Sequence, residues 1–353
     1  MRKSVLLSYG TWFLAFAVLL LPNALAAQTR ADNTLPDRAA VRSFLTELSR
    51  HPERAPDARD LAFKLISVGR FEEASSLFEA VLRQSPDDSR SLYGGALALF
   101  NLKQIAAAKD LAVRAAARAE SKGARKQQAD ALVLLAVILA VQKDDTGALT
   151  AVRKAVELSP ESFDARLALG RALFGTGDLN SAVQAFREAA RLRPDDLHSR
   201  FFLATTLEAT GEYTEAQAVY AELIRLQPHR AEGHLGLGVL LTKLDSAKQA
   251  EAIAHLSKAV SINGDLYEAR IALGRELVKS GRPNEALPHL ERAAKLAPQN
   301  PEPFYQLSIA HRRLGNRAAA ASASNRVKEI NTGRRSSGAA ASERIVPVVP
   351  KPN

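Results

Sequence analysis

Apolar side chains recur along this chain at helical spacing, and the recurrence is broken at short, even intervals. Residues 163–196, FDARLALGRALFGTGDLNSAVQAFREAARLRPDD, show this most plainly. Leu167, Leu169, Gly170 and Leu173 form one helical stripe, and Thr176-Gly177-Asp178 ends it. Gly177 can take the left-handed conformation that closes a helix, and Asp178 can accept from the free amides of the next one. Ala182, Phe186, Ala189 and Ala190 resume the period until Pro194, and Asp195-Asp196 can cap the succeeding helix. The pattern predicts two helices joined by a tight turn.

The same pattern returns about eight times. With Phe163 as position 1, units begin at Ala55, Ser89, Ala129, Phe163, Leu197, Ala231, Tyr267 and Pro301. Position 20 is alanine throughout: Ala74, Ala108, Ala148, Ala182, Ala216, Ala252, Ala286 and Ala320. Position 8 is always small: Ala62, Ala96, Ala136, Gly170, Ala204, Gly238, Gly274 and Ser308. Two helices cross closely only where neither carries a bulky side chain, so fixed small residues on both mark their crossing. Position 32 is proline in five units: Pro86, Pro160, Pro194, Pro228 and Pro298.

A helical period of 34 residues with these positions resembles the tetratricopeptide repeat (TPR) over residues 55–331. The resemblance implies an all-α, right-handed α-solenoid of about eight helix–turn–helix units. Position 4, often tryptophan in that family, is never tryptophan here. Gly95 replaces the leucine of position 7, and Ala112 the large residue of position 24. Forty residues separate the starts of units 2 and 3, and unit 6 carries two extra, so these units should be the least regular.

In such arrays the first helix of each unit lines a concave surface, mainly through positions 2, 5, 9, 12 and 13. Those positions hold Phe63, Ile66, Tyr93, Leu97, Phe100, Val133 and Val137 in the N-terminal half, then Leu167, Arg171, Phe174, Phe201 and Thr205. The C-terminal half has Lys243, Arg275, Lys279, Tyr305, Arg312 and Arg313, with Glu232, Glu268 and Glu302. An apolar-to-basic groove suits an extended or helical peptide with hydrophobic anchors at one end and acids at the other. The alternative is that several apolar members complete the core. Chaperone-binding TPR proteins clamp a terminal carboxylate with Lys, Asn and Arg, but position 9 is never Asn here, so that activity is not expected.

The flanks differ in composition. Residues 1–26 read as a signal peptide, with Arg2 and Lys3 before an apolar stretch from Thr11 to Leu21 and small residues at Ala24 and Ala26. Cleavage after Ala26 would make the chain periplasmic or secreted; an uncleaved inner-membrane anchor is the alternative. Residues 27–35 read as a linker and 36–54 as an N-terminal capping helix, with Thr34 near its cap and Val41, Phe44, Leu45 and Leu48 on one face. A polar face on the helix around Arg317–Ile330 would close the array, and residues 332–353 read as a disordered tail rich in Gly, Ser, Pro and Ala.

The chain has no cysteine, so disulfides, thiolate metal sites and Cys nucleophiles are excluded. Its net charge of +10, or +8 without the first 26 residues, suits acidic partners or an anionic membrane surface, or simply serves solubility. Arg114, Arg118, Lys122 and Arg125-Lys126 form a basic stripe, either a solvated outer face or a contact for anionic groups. Of the seven histidines, His255 and His289 share position 23 and read as surface echoes of the repeat. Gly236-Leu237-Gly238 lies inside a helix with no preceding strand, and no metal, nucleotide or nucleophile motif occurs. The expectation is a non-catalytic scaffold without cofactor or metal, binding protein or peptide with acidic segments in the cell envelope. The alternative is an accessory subunit of an envelope export or polysaccharide-secretion machine. An enzyme and a nucleic-acid binder are remote, and the sequence leaves oligomeric state open.

Overall fold

A computed structural model describes residues 35–244 and 246–343. The expected signal peptide, most of the linker, Thr34 and residues 344–353 lie outside the described residues. The chain divides into two compact units, one ending at Thr210 and the other beginning at Gly211. The division falls inside the fifth repeat.

The first unit opens with α1 (Arg38–Leu48) and a 3-10 turn (Pro52–Arg54). Helix pairs come next: α2 (Ala55–Ser67) with α3 (Phe71–Gln84), α4 (Ser89–Asn101) with α5 (Ile105–Ser121), α6 (Arg125–Val141) with α7 (Asp145–Leu158), and α8 (Phe163–Thr176) with α9 (Leu179–Leu192). α10 (Leu197–Thr210) ends the unit. The second unit contains α11 (Tyr213–Leu226), α12 (Ala231–Leu244), a 3-10 turn (Ser246–Lys248), α13 (Gln249–Ile262), α14 (Tyr267–Lys279), α15 (Pro283–Leu296), α16 (Pro301–Arg313) and α17 (Arg317–Glu343). This is an all-α solenoid of repeated helix pairs. Among the described residues no helix is long and apolar enough to cross a membrane.

Small residues decide how each pair closes. Every alanine at position 20 is buried, from Ala74 to Ala320. Gly170, Gly238 and Gly274 at position 8 lie directly on the position-24 side chain of the second helix. A Cβ would stand 2.6 Å from the Phe186 ring, 2.8 Å from Leu256 and 2.4 Å from Leu290. Position 6 performs the same service between neighbouring repeats: Gly94 admits the ring of Phe78, and Gly236 that of Tyr220.

In seven of the repeats the turn places one left-handed residue at position 15. Gly69, Gly177, Gly211, Gly281 and Gly315 supply it with φ between 76° and 91°. In repeats 2 and 3 the same place is held by Lys103 and Lys143, both with φ of 63°. A Cβ-bearing residue is strained there. Lys103→Gly and Lys143→Gly should each raise stability by roughly 1 kcal/mol, the gain being reduced by glycine's greater unfolded-state entropy. Thermal and denaturant midpoints check this, and a loss of stability would contradict the account.

The irregular repeats absorb their extra residues in two ways. The longer spacing between repeats 2 and 3 extends α5 and α6 to 17 residues each, where most helices have 13 or 14. α6 therefore starts at Arg125, before the unit boundary expected at Ala129. The two extra residues of repeat 6 go into the turn around Ser246–Lys248.

Several helices are capped by an acidic side chain. Asp178 accepts from Ser181 N at 3.2 Å, Asp144 from Gly147 N at 2.9 Å, and Asp196 from Ser199 N at 2.7 Å. At α1 the cap is Asp37, which accepts from Ala40 N at 2.7 Å, so the expected role of Thr34 falls to it. α1 is shorter than the predicted helix but packs as its apolar stripe requires, with Val41 and Leu48 buried in the first unit's core. Gln84 Nε2 donates to Leu48 O at 2.8 Å, and the Arg54 guanidinium lies 4.4 Å over the Phe44 ring.

The C-terminal expectation needs correction. α17 continues to Glu343, so residues 332–343 are helical rather than an unstructured tail. The segment's Ala and Arg favour helix, and they extend a helix already nucleated by the packing of Ala320 and Ile330.

Candidate partner-binding faces

First helices carry the expected contact positions. In the first unit α2, α4 and α6 touch one another in succession, as do α6 and α8. In the second, α12, α14 and α16 do the same. First helices thus form a continuous layer from α2 to α8 in the first unit and from α12 to α16 in the second. The proposed contact residues fall into two sets, Phe63 to Phe201 in the first unit and Lys243 to Arg313 in the second, each considered within its own unit.

The apolar set is mostly core. Phe100 and Phe174, at position 12, are buried, as are Ile66, Leu97, Leu167 and Thr205. They fill space between helices and have little surface to offer, so their assignment as peptide anchors is corrected. Phe63, Tyr93 and Phe201 are half-buried. Phe63 packs edge-on to Phe78 with centroids 5.0 Å apart, and Phe201 lies 6.4 Å from Phe202. Burial pushes the Tyr93 hydroxyl pKa up, and the carboxylates of Asp130 and Asp164 add to the effect. Burial also raises Asp164, opposed by the Arg193 guanidinium. Neither acid was among the contact residues expected from sequence, although both occupy position 2. They make the first unit's layer less purely apolar than expected.

Arg171 stands apart. Its guanidinium carbon is 5.9 Å from the Phe202 ring centroid, and its Nε is buried without a hydrogen-bond partner. Burial lowers its pKa to about 10.

The basic set is accessible. Lys243, Lys279, Arg312 and Arg313 are exposed, Arg275 is half-buried, and Tyr305 is 50% exposed. Arg275 and Lys279 converge on one carboxylate: Glu276 Oε1 lies 2.8 Å from Lys279 Nζ and 3.4 Å from Arg275 Nε. Glu276 itself is buried, at 2% exposure. Arg312 Nε donates to Ser308 O at 3.3 Å, and Arg313 donates to Val278 O. Neither arginine has a carboxylate partner among the described residues. The Arg275, Lys279, Arg312 and Arg313 cations therefore outnumber their buried acid. Glu302 at the start of α16 accepts from Gln306.

The basic stripe of α5 and α6 is internally paired. Arg118 Nε meets Asp87 at 2.7 Å, Lys126 meets Asp130 at 3.1 Å, and Arg114 meets Asp110 at 3.5 Å. Lys122 and Arg125 donate to the carbonyls of Asp87 and Glu157. These cations tie turns and helices together. Nor are His255 and His289 surface echoes: both are half-buried. His255 Nδ1 lies 3.0 Å from His234 Nδ1, and His289 Nδ1 lies 3.4 Å from Arg270 Nη1, the same two repeat positions in consecutive units. Burial first, and then a neighbouring cationic group, lowers the pKa of His234 and of His289. Among the described residues no group of three or more His, Asp or Glu side chains could hold a metal ion.

Two family models, both described as tetratricopeptide repeat, match the sequence. One matches residues 173–240 and 277–342, the other 64–123, 109–163 and 146–197. Together they span more than half of the chain, and their period is that of the helix pairs. The chain belongs to the tetratricopeptide repeat family. TPR proteins generally mediate protein–protein interactions and are typically non-catalytic scaffolds. Comparison with curated proteins gave no match. Among solved structures, a tetratricopeptide repeat protein from Parabacteroides merdae is similar at 15% identity and a TM-score of 0.56, covering 73% of this chain and 99% of that one. PilF of Pseudomonas aeruginosa is similar at 21% identity and a TM-score of 0.52, covering 60% and 95%. At these identities the likeness shows the TPR fold alone.

Proposed function

We propose that this TPR chain is a non-catalytic scaffold in the cell envelope that holds acidic protein segments against the first helices of its last repeats. The observation that carries the reading is the cationic set on α14 and α16. Arg275 and Lys279 stand at positions 9 and 13 of repeat 7, Arg312 and Arg313 at positions 12 and 13 of repeat 8, where Tyr305 is also exposed, and the four exceed the single buried carboxylate of Glu276. Arginine holds carboxylates in a bidentate fork, and tyrosine adds contact area at little entropic cost. The envelope location rests on the charged, apolar and small-residue succession of the first 26 residues.

The test uses Arg312→Glu with Arg313→Glu, which leaves both cations on Glu276. The doubly substituted chain should retain its helical signal and midpoint while capture of a protein partner from envelope extracts weakens by about tenfold or more. Equal capture by both chains would remove the basic face from the reading.

A further inference from the structure

Among the described residues Arg171 has no carboxylate counter-charge. It occupies position 9 of repeat 4, on α8, with buried Leu167 and Phe174 on the same helix. Its Nε has neither exposed surface nor partner, and its one specific contact is the face of Phe202, 5.9 Å from the guanidinium carbon. Two other half-buried arginines of the first unit find oxygen. Arg59, which also leaves its Nε unpartnered, meets Asp88 at 3.3 Å through Nη1, and Arg166 Nε donates to Pro160 O at 3.1 Å. Arg200 likewise buries one nitrogen without a partner, but at position 4, off the contact positions of the first-helix layer.

Desolvating a guanidinium is costly, and arginine cannot escape the cost by losing its proton. Buried charges are therefore paired, and removing one partner of such a pair is strongly destabilising. Arg171 is half-buried, but its Nε is wholly shielded and unpartnered, which weakens the free protein. It is accounted for when the missing anion arrives with something else.

We infer that Arg171 receives a carboxylate from a bound protein segment, an Asp or Glu side chain flanked by apolar residues. This rests on the reading that the first-helix layer accepts protein. The planar guanidinium fork matches a carboxylate in two parallel hydrogen bonds, and Phe202 at its face leaves its edge for the ligand. Half-buried Val133, Val137 and Phe201, at neighbouring contact positions, offer the apolar surface for the flanking residues.

Arg171→Met separates this role from a structural one. Methionine keeps the apolar stem and removes the charge, so the midpoint of the free variant should equal or exceed that of the natural chain. The probe is the peptide acetyl-Ala-Leu-Glu-Leu-Ala-amide, with its Gln counterpart and inorganic phosphate as comparisons at matched ionic strength. The Glu peptide at saturating concentration should raise the midpoint of the natural chain by about 1 °C or more. The Gln peptide and phosphate should not, and Arg171→Met should respond to none of the three. A variant less stable than the natural chain would make Arg171 a structural strut and overturn the inference. So would equal responses to the Glu and Gln peptides, no response, or a response to phosphate as large as that to the Glu peptide. If Arg171→Met captures partner normally while Arg312→Glu/Arg313→Glu does not, this inference fails and the scaffold reading stands.

Discussion

Gly170→Leu should destabilise the first unit by about 2–3 kcal/mol, a large share of what holds a domain folded. The cause is local. A Cβ alone would stand 2.6 Å from Cδ1 and Cε1 of Phe186, inside the distance that real Cβ atoms keep. Phe186 cannot swing aside freely, because it is fully buried and stacks on Phe202 with centroids 5.5 Å apart. The α8–α9 crossing must open, or Phe186 must leave its rotamer, and the strain then passes into α10 through Phe202. Gly170→Ala should cost less, because one methyl needs a smaller opening. Gly333→Ala is the control: it lies on α17 with nothing within 4 Å of a Cβ. There alanine should be neutral or mildly stabilising. Denaturant midpoints of the three variants check the ranking, and a Gly170→Leu chain as stable as the natural one would refute the close crossing.

That crossing was legible in the sequence because it recurs. A steric demand met at the same place in every repeat leaves a column of small residues, and positions 8 and 20 show it. Gly94 was harder to read. Gly95 draws notice in the sequence because it breaks the leucine of position 7, yet the tighter approach is at Gly94, where Phe78 of the preceding repeat enters. The demand there comes from another repeat's aromatic ring, so no column marks it. Lys103 and Lys143 were invisible for a related reason: their left-handed backbone is imposed by the turn, and lysine carries no signature of it.

The contact face was less legible than the core. Position 12 faces the first-helix layer in every repeat, but whether its side chain reaches the surface depends on what the adjoining helices place around it. Phe174 is buried while Arg312 is exposed at the same position. Pattern alone therefore mixed packing aromatics with accessible groups. The pairing of cations was equally hidden. Arg275 and Lys279 read as free charges, because the acid they serve sits at position 10, where other repeats bury Ala98, Ile138, Thr206 and Leu240.

That acid gives the second large effect. Replacing both Arg275 and Lys279 with methionine should destabilise the second unit by about 2–3 kcal/mol, because Glu276 would remain buried without a charged partner. The figure lies below that for stripping a fully buried pair, since Arg275 and Lys279 side chains keep 37% and 53% exposure and water already screens part of their attraction. Adding Glu276→Leu to the same chain should restore most of the loss. Leucine occupies the equivalent position in repeat 6 as Leu240, fully buried, so the site accepts an apolar side chain of that size. Recovery by the triple substitution would assign the loss to the orphaned carboxylate. A double substitution as stable as the natural chain would mean that Glu276 does not need its cations. The cycle also bears on binding. A chain lacking Arg275 and Lys279 but stabilised by Leu at 276 keeps Arg312 and Arg313, so its capture of partner isolates what the first two cations contribute beyond holding their own acid.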